Sequence, residues 1–396
     1  MITKFDSLYA GHIDMENVGY AGTSVNDRRF DNDVLLGVFD KTTNIAKAMD
    51  QYGYDTFWMA EHHFQPEGYE CIPNILMMAT HLAHITKRIR LGCGFNIAPM
   101  WHPLRLAEDY AMADILTGGR TVFGVGRGYH TREVETLGAP LLDQPANRDL
   151  FEEQVDIIFK AFNQESFSHK GDVYTIPPEV PYRGYELSEI TLVPRPSHLP
   201  VECWQPIQSA TQRGLDFMAK HGIGGIIGGG SSEGGAMEKA VEGFRDAYFR
   251  HGTELALGEK LSIGFHYHIA ENQEKAIEQV GKYYEENLKM FGPLRLVRSL
   301  SDAQIEIMGD PQLAPFADLP RVEDSVRAGG VLAGTPEMIT CQLKELEKKY
   351  QGLERISVSH PVGTPQTVII EQLQQFSEEV MPHFKVTSVP ADPTVT

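Results

Sequence analysis

Positive charge is scarce in this sequence: 35 lysines and arginines stand against 54 aspartates and glutamates, for a formal net charge of −19. A phosphate backbone or an anionic membrane surface needs a basic face, so neither a nucleic acid nor a membrane is expected as partner. Cysteine is also rare. Cys71, Cys93, Cys203 and Cys341 are scattered without a C-x-x-C pair, which argues against a disulfide framework or a structural zinc site and fits reduced, cytoplasmic thiols. No run of about 18 apolar residues occurs, so no spanning helix is expected. Met1–Asp6 carries no apolar signal-peptide core, and a cytoplasmic location is the expectation. Two nucleotide fingerprints are missing as well: Gly124–Gly128 reads G-x-G-x-G, Gly224–Gly230 matches no better, and no G-x-x-x-x-G-K-[ST] loop exists.

What the chain does have is alternation. It is 42% hydrophobic and 22% charged over 396 residues, enough to bury a large core. Apolar, β-rich runs fall at 5–9, 56–60, 89–98, 121–125, 201–204, 224–227, 261–270 and 355–358. Helical patterns lie between most of them: 40–52, 73–86, 103–116, 151–162, 212–221, 236–251, 273–290 and 336–350. Continuous apolar strands each followed by a helix predict a (β/α)8 TIM barrel. One domain over residues 1–385 is expected, with a flexible tail over 386–396. Two irregular stretches, 163–199 and 291–330, are expected as insertions after strands four and seven. Loops of that length serve as lids or binding loops when they lie on the active face.

In such a barrel, polar groups at the C-terminal strand ends face the pocket mouth. Glu61-His62-His63-Phe64 directly follows the second apolar run, placing a carboxylate and two imidazoles there. Gly94, Phe95 and Asn96 end the third strand, where glycine lets backbone approach a flat ligand and Asn96 offers a donor and an acceptor. Gly126-Arg127-Gly128 ends the fourth strand with a cation suited to phosphate. After the fifth, Gln208, Ser209 and Thr211 precede a helix start, a ready anion site, with Thr211 also a natural N-cap. Gly228-Gly229-Gly230-Ser231-Ser232 ends the sixth as another backbone-donor loop. His266 and His268, two apart on a strand, share a face. A metal site there lacks an obvious carboxylate, so core or pocket lining is the reading, and no metal is expected. Phe64, Tyr69, Trp101, His130, Trp204 and Tyr267 are candidates for a substrate pocket.

Taken together, Glu61-His62-His63-Phe64, the stretch Leu91–Asp109 and the Phe123–Gly128 turn resemble the bacterial luciferase-like flavin monooxygenases. The resemblance runs from about Asp33 to His383. It implies a two-component monooxygenase that takes reduced FMN from a separate NAD(P)H:flavin reductase and uses O2, through a C4a-peroxyflavin, to oxygenate a small organic substrate. His62 matches the active-site histidine beside the flavin, Gly94, Phe95 and Asn96 the strand passing the ring, and Arg127 the phosphate arginine. Ser209 and Thr211 match the phosphate loop, Glu61 and Gln208 belong to the same cofactor set, and a homodimer is the expected assembly. Gly126 stands where luciferase proper has cysteine, and His130 where it has tyrosine, so light emission is not expected. Two other readings remain: a deazaflavin (F420)-dependent oxidoreductase and a non-catalytic flavin-binding subunit. The histidine quartet favours the monooxygenase over both.

Overall fold

The computed structural model describes residues 1–230, 235–297 and 300–384. Its centre is a closed barrel of eight parallel strands: β1 (Lys4–Tyr9), β2 (Thr56–Met59), β3 (Arg90–Cys93), β4 (Thr121–Gly126), β5 (Cys203–Pro206), β6 (Gly224–Gly228), β7 (Leu261–Ile269) and β8 (Arg355–Ser359). Each strand pairs with the next, β4 meets β5 through Cys203 opposite Phe123, and β8 returns to β1 with Arg355 opposite Lys4. All eight expected strands are present. β2 and β4 are buried along their whole length, as strands covered on both faces must be, and this is why they read as unbroken apolar runs.

Helices wrap the outside. Helix α1 (Asn32–Tyr52) starts earlier than its apolar periodicity predicts, because its first turns expose Val34 and Leu36. It ends at Gly53, whose φ of 82° an L side chain would resist. Inside the barrel, Trp58 and Trp204 meet edge to face with ring centroids 6.1 Å apart. A Cβ on Gly92 would lie 2.3 Å from the Trp58 ring. Gly92 therefore makes room for an indole of the barrel's own core, not for a ligand. Beneath the rings, Trp58 Nε1 donates to Asp6 at 3.0 Å, and Arg355 donates to both Asp6 and Asp55 at 2.6 Å, closing the lower end with a buried charge cluster.

The stretches 163–199 and 291–330 differ in what they touch. Residues 163–199 lie between β4 and β5, yet they follow the helix Gln144–Asn163 rather than the strand end. This segment lies against the outside of the barrel, where its Tyr174 meets His102 with ring centroids 5.4 Å apart. It is fastened to the outer helices: Glu153 accepts from the backbone of Val173 and Tyr174, and Asp114 from Ser197 and His198. None of its residues lines the central cavity, so the expectation that it serves as a lid is corrected. The second insertion does reach the cavity, through Phe291, Leu296, Ser325 and Gly330. Ser231 and Ser232 of the glycine loop, and the tail from residue 386, lie outside the described residues. Among the described residues, no helix is long and apolar enough to cross a membrane.

Candidate active site

The C-terminal strand ends surround a cavity of about 710 Å3, with Trp58 among its lining residues. Its size and mixed lining suit a small-molecule site. At one side stands His62, buried at 5% exposure. The rigid, fully buried β2 ends just before it, and the His62 amide is tied to the carbonyl of Ile72 at 3.1 Å. The ring is held at both nitrogens. Nδ1 lies 3.1 Å from Glu133, while Nε2 lies 3.0 Å from the Tyr129 hydroxyl and 3.3 Å from Glu70. Tyr129 donates in turn to Glu70 at 2.9 Å, and His130 Nε2 lies 3.1 Å from the other Glu70 oxygen.

Burial alone would make His62 a weaker base, but Glu70, Glu133 and Glu61 outweigh it and hold its pKa above the ordinary value of 6.5. Glu133 is correspondingly held below its ordinary 4.5: burial pushes it up, and His62, His130 and Gln65 more than compensate. The carboxylates thus favour the protonated ring, in which Nδ1–H is directed to Glu133 and Nε2–H to Tyr129 and Glu70. Glu133→Gln keeps the shape and removes the charge, so it should lower the His62 pKa. An NMR titration of the imidazole checks this. An unchanged midpoint would leave Glu70 as the controlling carboxylate.

Glu61 has a different task from the one expected. It is almost wholly buried and its two oxygens accept from Ile97 N at 2.9 Å and from Trp101 Nε1 at 2.8 Å, with His63 Nε2 at 3.1 Å. It lines the cavity but is committed to bracing the turn after β3. Gly94 and Phe95 also line the cavity, and the peptide between them is cis.

At another side lie Arg127 and Arg148, with Gly128, Gln208, Ser209 and Gly214. Arg127 donates to Gln144 at 3.2 Å and has no carboxylate within ion-pair distance among the described residues. Burial and the neighbouring Arg148 both hold its pKa below the ordinary 12.5. Among the described residues, Arg148 has one ion-pair partner, Glu152 at 3.6 Å. The helix Gln212–His221 points its N-terminus here: a Cβ on Gly214 would lie 3.4 Å from Arg148 Nη1. Two under-paired guanidinium groups beside a helix start form a built anion site.

Several candidates fall elsewhere. Asn96 is fully buried and donates to the Gly124 carbonyl at 2.9 Å, tying the end of β3 to β4; it is not at the cavity. Thr211 caps its helix by accepting from Gly214 N at 3.4 Å and does not line the cavity. Phe64 is 51% exposed and outside the cavity. Tyr267 packs outward, its ring 5.2 Å from Phe376 of the outer helix Gln366–Glu379, because alternate residues of β7 face opposite sides. His130 stands behind His62, with ring centroids 5.3 Å apart, as a supporting residue. Sequence reading missed Glu70, Tyr129, Glu133 and Arg148. Tyr129 lies beside Arg127 and could have been found by its place at the strand end. The other three arrive through loops and helices that carry no local signature.

The comparisons with known proteins agree with this geometry. The chain is 26% identical to limonene 1,2-monooxygenase of Rhodococcus erythropolis over 365 residues, covering 90% of this chain and 84% of that one. It is 30% identical to the oxygenase component of a flavin-dependent trigonelline monooxygenase of Acinetobacter baylyi over 151 residues, 38% of this chain and 41% of that protein. Other curated relatives are likewise matched over only 28% to 45% of their own length. The fold is that of the oxygenating constituent of 3,6-diketocamphane monooxygenase of Pseudomonas putida, solved with FMN, with a TM-score of 0.72 and 18% identity over 98% of this chain and 100% of that one. The family model for luciferase-like monooxygenases matches residues 17–380, and the chain belongs to that family.

Proposed function

We propose that this protein is a two-component monooxygenase that binds reduced FMN, delivered by an NAD(P)H:flavin reductase, and uses O2 to oxygenate a small organic substrate. The observation that carries this reading is one cavity holding both an under-paired arginine pair and a buried imidazole that carboxylates fix and make more basic. The donor set fits FMN: a phosphate dianion suits Arg127, Arg148, Ser209 and the start of the helix Gln212–His221, and Gly94, Phe95 and Gly126 offer the thin wall a flat ring needs. Names of relatives support the chemistry, since one is a flavin-dependent oxygenase component. The barrel with both insertions acts as a single unit, and the homodimer expected from the family stands as part of the proposal.

Bound reduced FMN would supply the electrons that activate O2. The chain's own residues do the rest. Arg127 and Arg148 anchor and orient the phosphate. Trp58 and Phe95 keep water from the cavity floor. His62 holds a proton at Nε2 for transfer at the reacting centre, and Glu133 fixes the ring so that this nitrogen, not Nδ1, faces the cavity side. Tyr129 and Glu70 form the path by which the proton is replaced.

Arg127→Ala tests the cofactor half. A charge-assisted bond of about 1.5–3 kcal/mol is at stake, so affinity for reduced FMN should fall roughly 10- to 100-fold. Riboflavin, which has no phosphate, should bind almost unchanged. Equal losses for both ligands would make Arg127 a structural residue and remove the anion site from this reading.

A further inference from the structure

Charge is unequally shared around the cavity. Its carboxylates and guanidinium groups, Glu61, Glu70, Arg127 and Arg148, all come from the segments following β2 and β4. On the other side, from β6 through β8 to β1, the described lining residues include no carboxylate, lysine or arginine. That half carries apolar side chains such as Leu8, Leu288, Phe291 and Val362 and uncharged polar ones: His12, His266 and His360, with Tyr284, Asn287 and the hydroxyls of Ser325, Ser357 and Ser359.

These histidines are not used by the proton network of His62. His266 Nδ1 lies 3.0 Å from the Ser359 hydroxyl, and no partner is found for its Nε2 among the described residues. His360 lines the cavity and is 9% exposed; its Nε2 is buried out of reach of the cavity, with no hydrogen-bond partner among the described residues, so His360 meets a ligand through Nδ1. His12 is already engaged, since its Nδ1 accepts from Gly363 N at 3.0 Å. Burial pushes His266 down to about 4, and holds His360 well below the ordinary 6.5, where His268, His266 and Lys41 depress it further. Both rings are therefore neutral at physiological pH, each with one donor and one acceptor. An imidazole nitrogen that faces the cavity without a protein partner is costly to keep dry unless a ligand satisfies it.

We propose that the β6–β1 half is the substrate end, and that His266 and His360 set its specificity for an uncharged molecule with an apolar body and a carbonyl or hydroxyl oxygen. This rests on the proposed function only in giving the arginine half to the cofactor. An oxygen satisfies the imidazoles. A hydrocarbon leaves them unpaired, and a carboxylate would lose its hydration in a wall with no cation to replace it.

Limonene, carvone and perillate share one ring skeleton as hydrocarbon, ketone and carboxylate, and serve as probes. With the FMN-loaded protein, calorimetry should show carvone binding at least tenfold tighter than limonene and at least a hundredfold tighter than perillate. His266→Phe and His360→Phe should bring carvone and limonene to within about threefold of each other, whereas His266→Gln, which keeps an uncharged donor and acceptor, should retain most of the difference. FMN affinity measured on the same samples reports whether each variant is folded. Perillate binding as tightly as carvone, absence of carvone binding, or a ketone preference surviving in both phenylalanine variants would overturn the assignment. Failure of FMN itself to bind would instead refute the cofactor reading, leaving the two outcomes distinct.

Discussion

His62→Ala is expected to bind FMN within a few-fold of the parent protein while forming product slower by roughly two or more orders of magnitude. Binding is spared because the phosphate end, Arg127 and Arg148, comes from other elements. Product formation is lost because His62 is the cavity-lining imidazole whose pKa is raised, by Glu70, Glu133 and Glu61 against the effect of burial. Without its proton, activated oxygen escapes as hydrogen peroxide instead of reaching the substrate. The sign of the pH effect follows. A histidine with a folded-state pKa above 6.5 is protonated below that pKa, so coupled turnover should be full below the folded pKa and fall as pH rises through it. The same interaction stabilises the fold below the unfolded pKa and is lost on the same alkaline rise. Assays of product against oxygen consumption measure both effects. Near-normal coupled turnover in the alanine variant would remove His62 from the chemistry.

The second large effect concerns the source of electrons. NADH or NADPH with oxidised FMN and this protein alone should give negligible turnover, and an unrelated flavin reductase should restore it. The sequence has no dinucleotide fingerprint. The arginine end provides for one phosphate group, and among the described residues the remaining wall carries no lysine or arginine. Among the described lining residues, no second group of cations is present to grip a nicotinamide dinucleotide. A diffusible reduced flavin entering an open barrel mouth meets no such difficulty. Once bound, it would be covered from the side of Phe291, Leu296 and Ser325, since the second insertion is the one that reaches the cavity. Rapid NAD(P)H oxidation by the purified chain would indicate a one-component oxidoreductase instead.

The barrel was legible because parallel strands buried on both faces must be continuously apolar, and β2 and β4 are. The Glu61–Phe64 quartet was legible because polar residues directly after such a strand can only face the mouth or solvent. It could not reveal which would do which. His62 turns in, Phe64 turns out with a φ of 58°, and Glu61 braces the loop after β3. The choice of His266 over Tyr267 was hidden for a related reason: when both faces of β7 are covered, alternation of polarity no longer marks the inward side. Asn96 was misplaced because a buried amide satisfying a backbone carbonyl looks, in sequence, like one waiting for a ligand. Glu133, Glu70 and Arg148 reach the site by long-range packing, and no spacing between them and His62 or Arg127 encodes it.

The central claim is that this cavity binds reduced FMN and directs its reaction with oxygen. The most direct measurement mixes the purified protein anaerobically with reduced FMN, and in parallel with reduced deazaflavin, and follows absorbance in a stopped-flow instrument as oxygen is admitted. With FMN, return to the oxidised spectrum is expected in two phases, passing through a spectrum that belongs to neither the reduced nor the oxidised form. Single-step reoxidation at the rate of free reduced FMN, or tight binding of the deazaflavin alone, would contradict it.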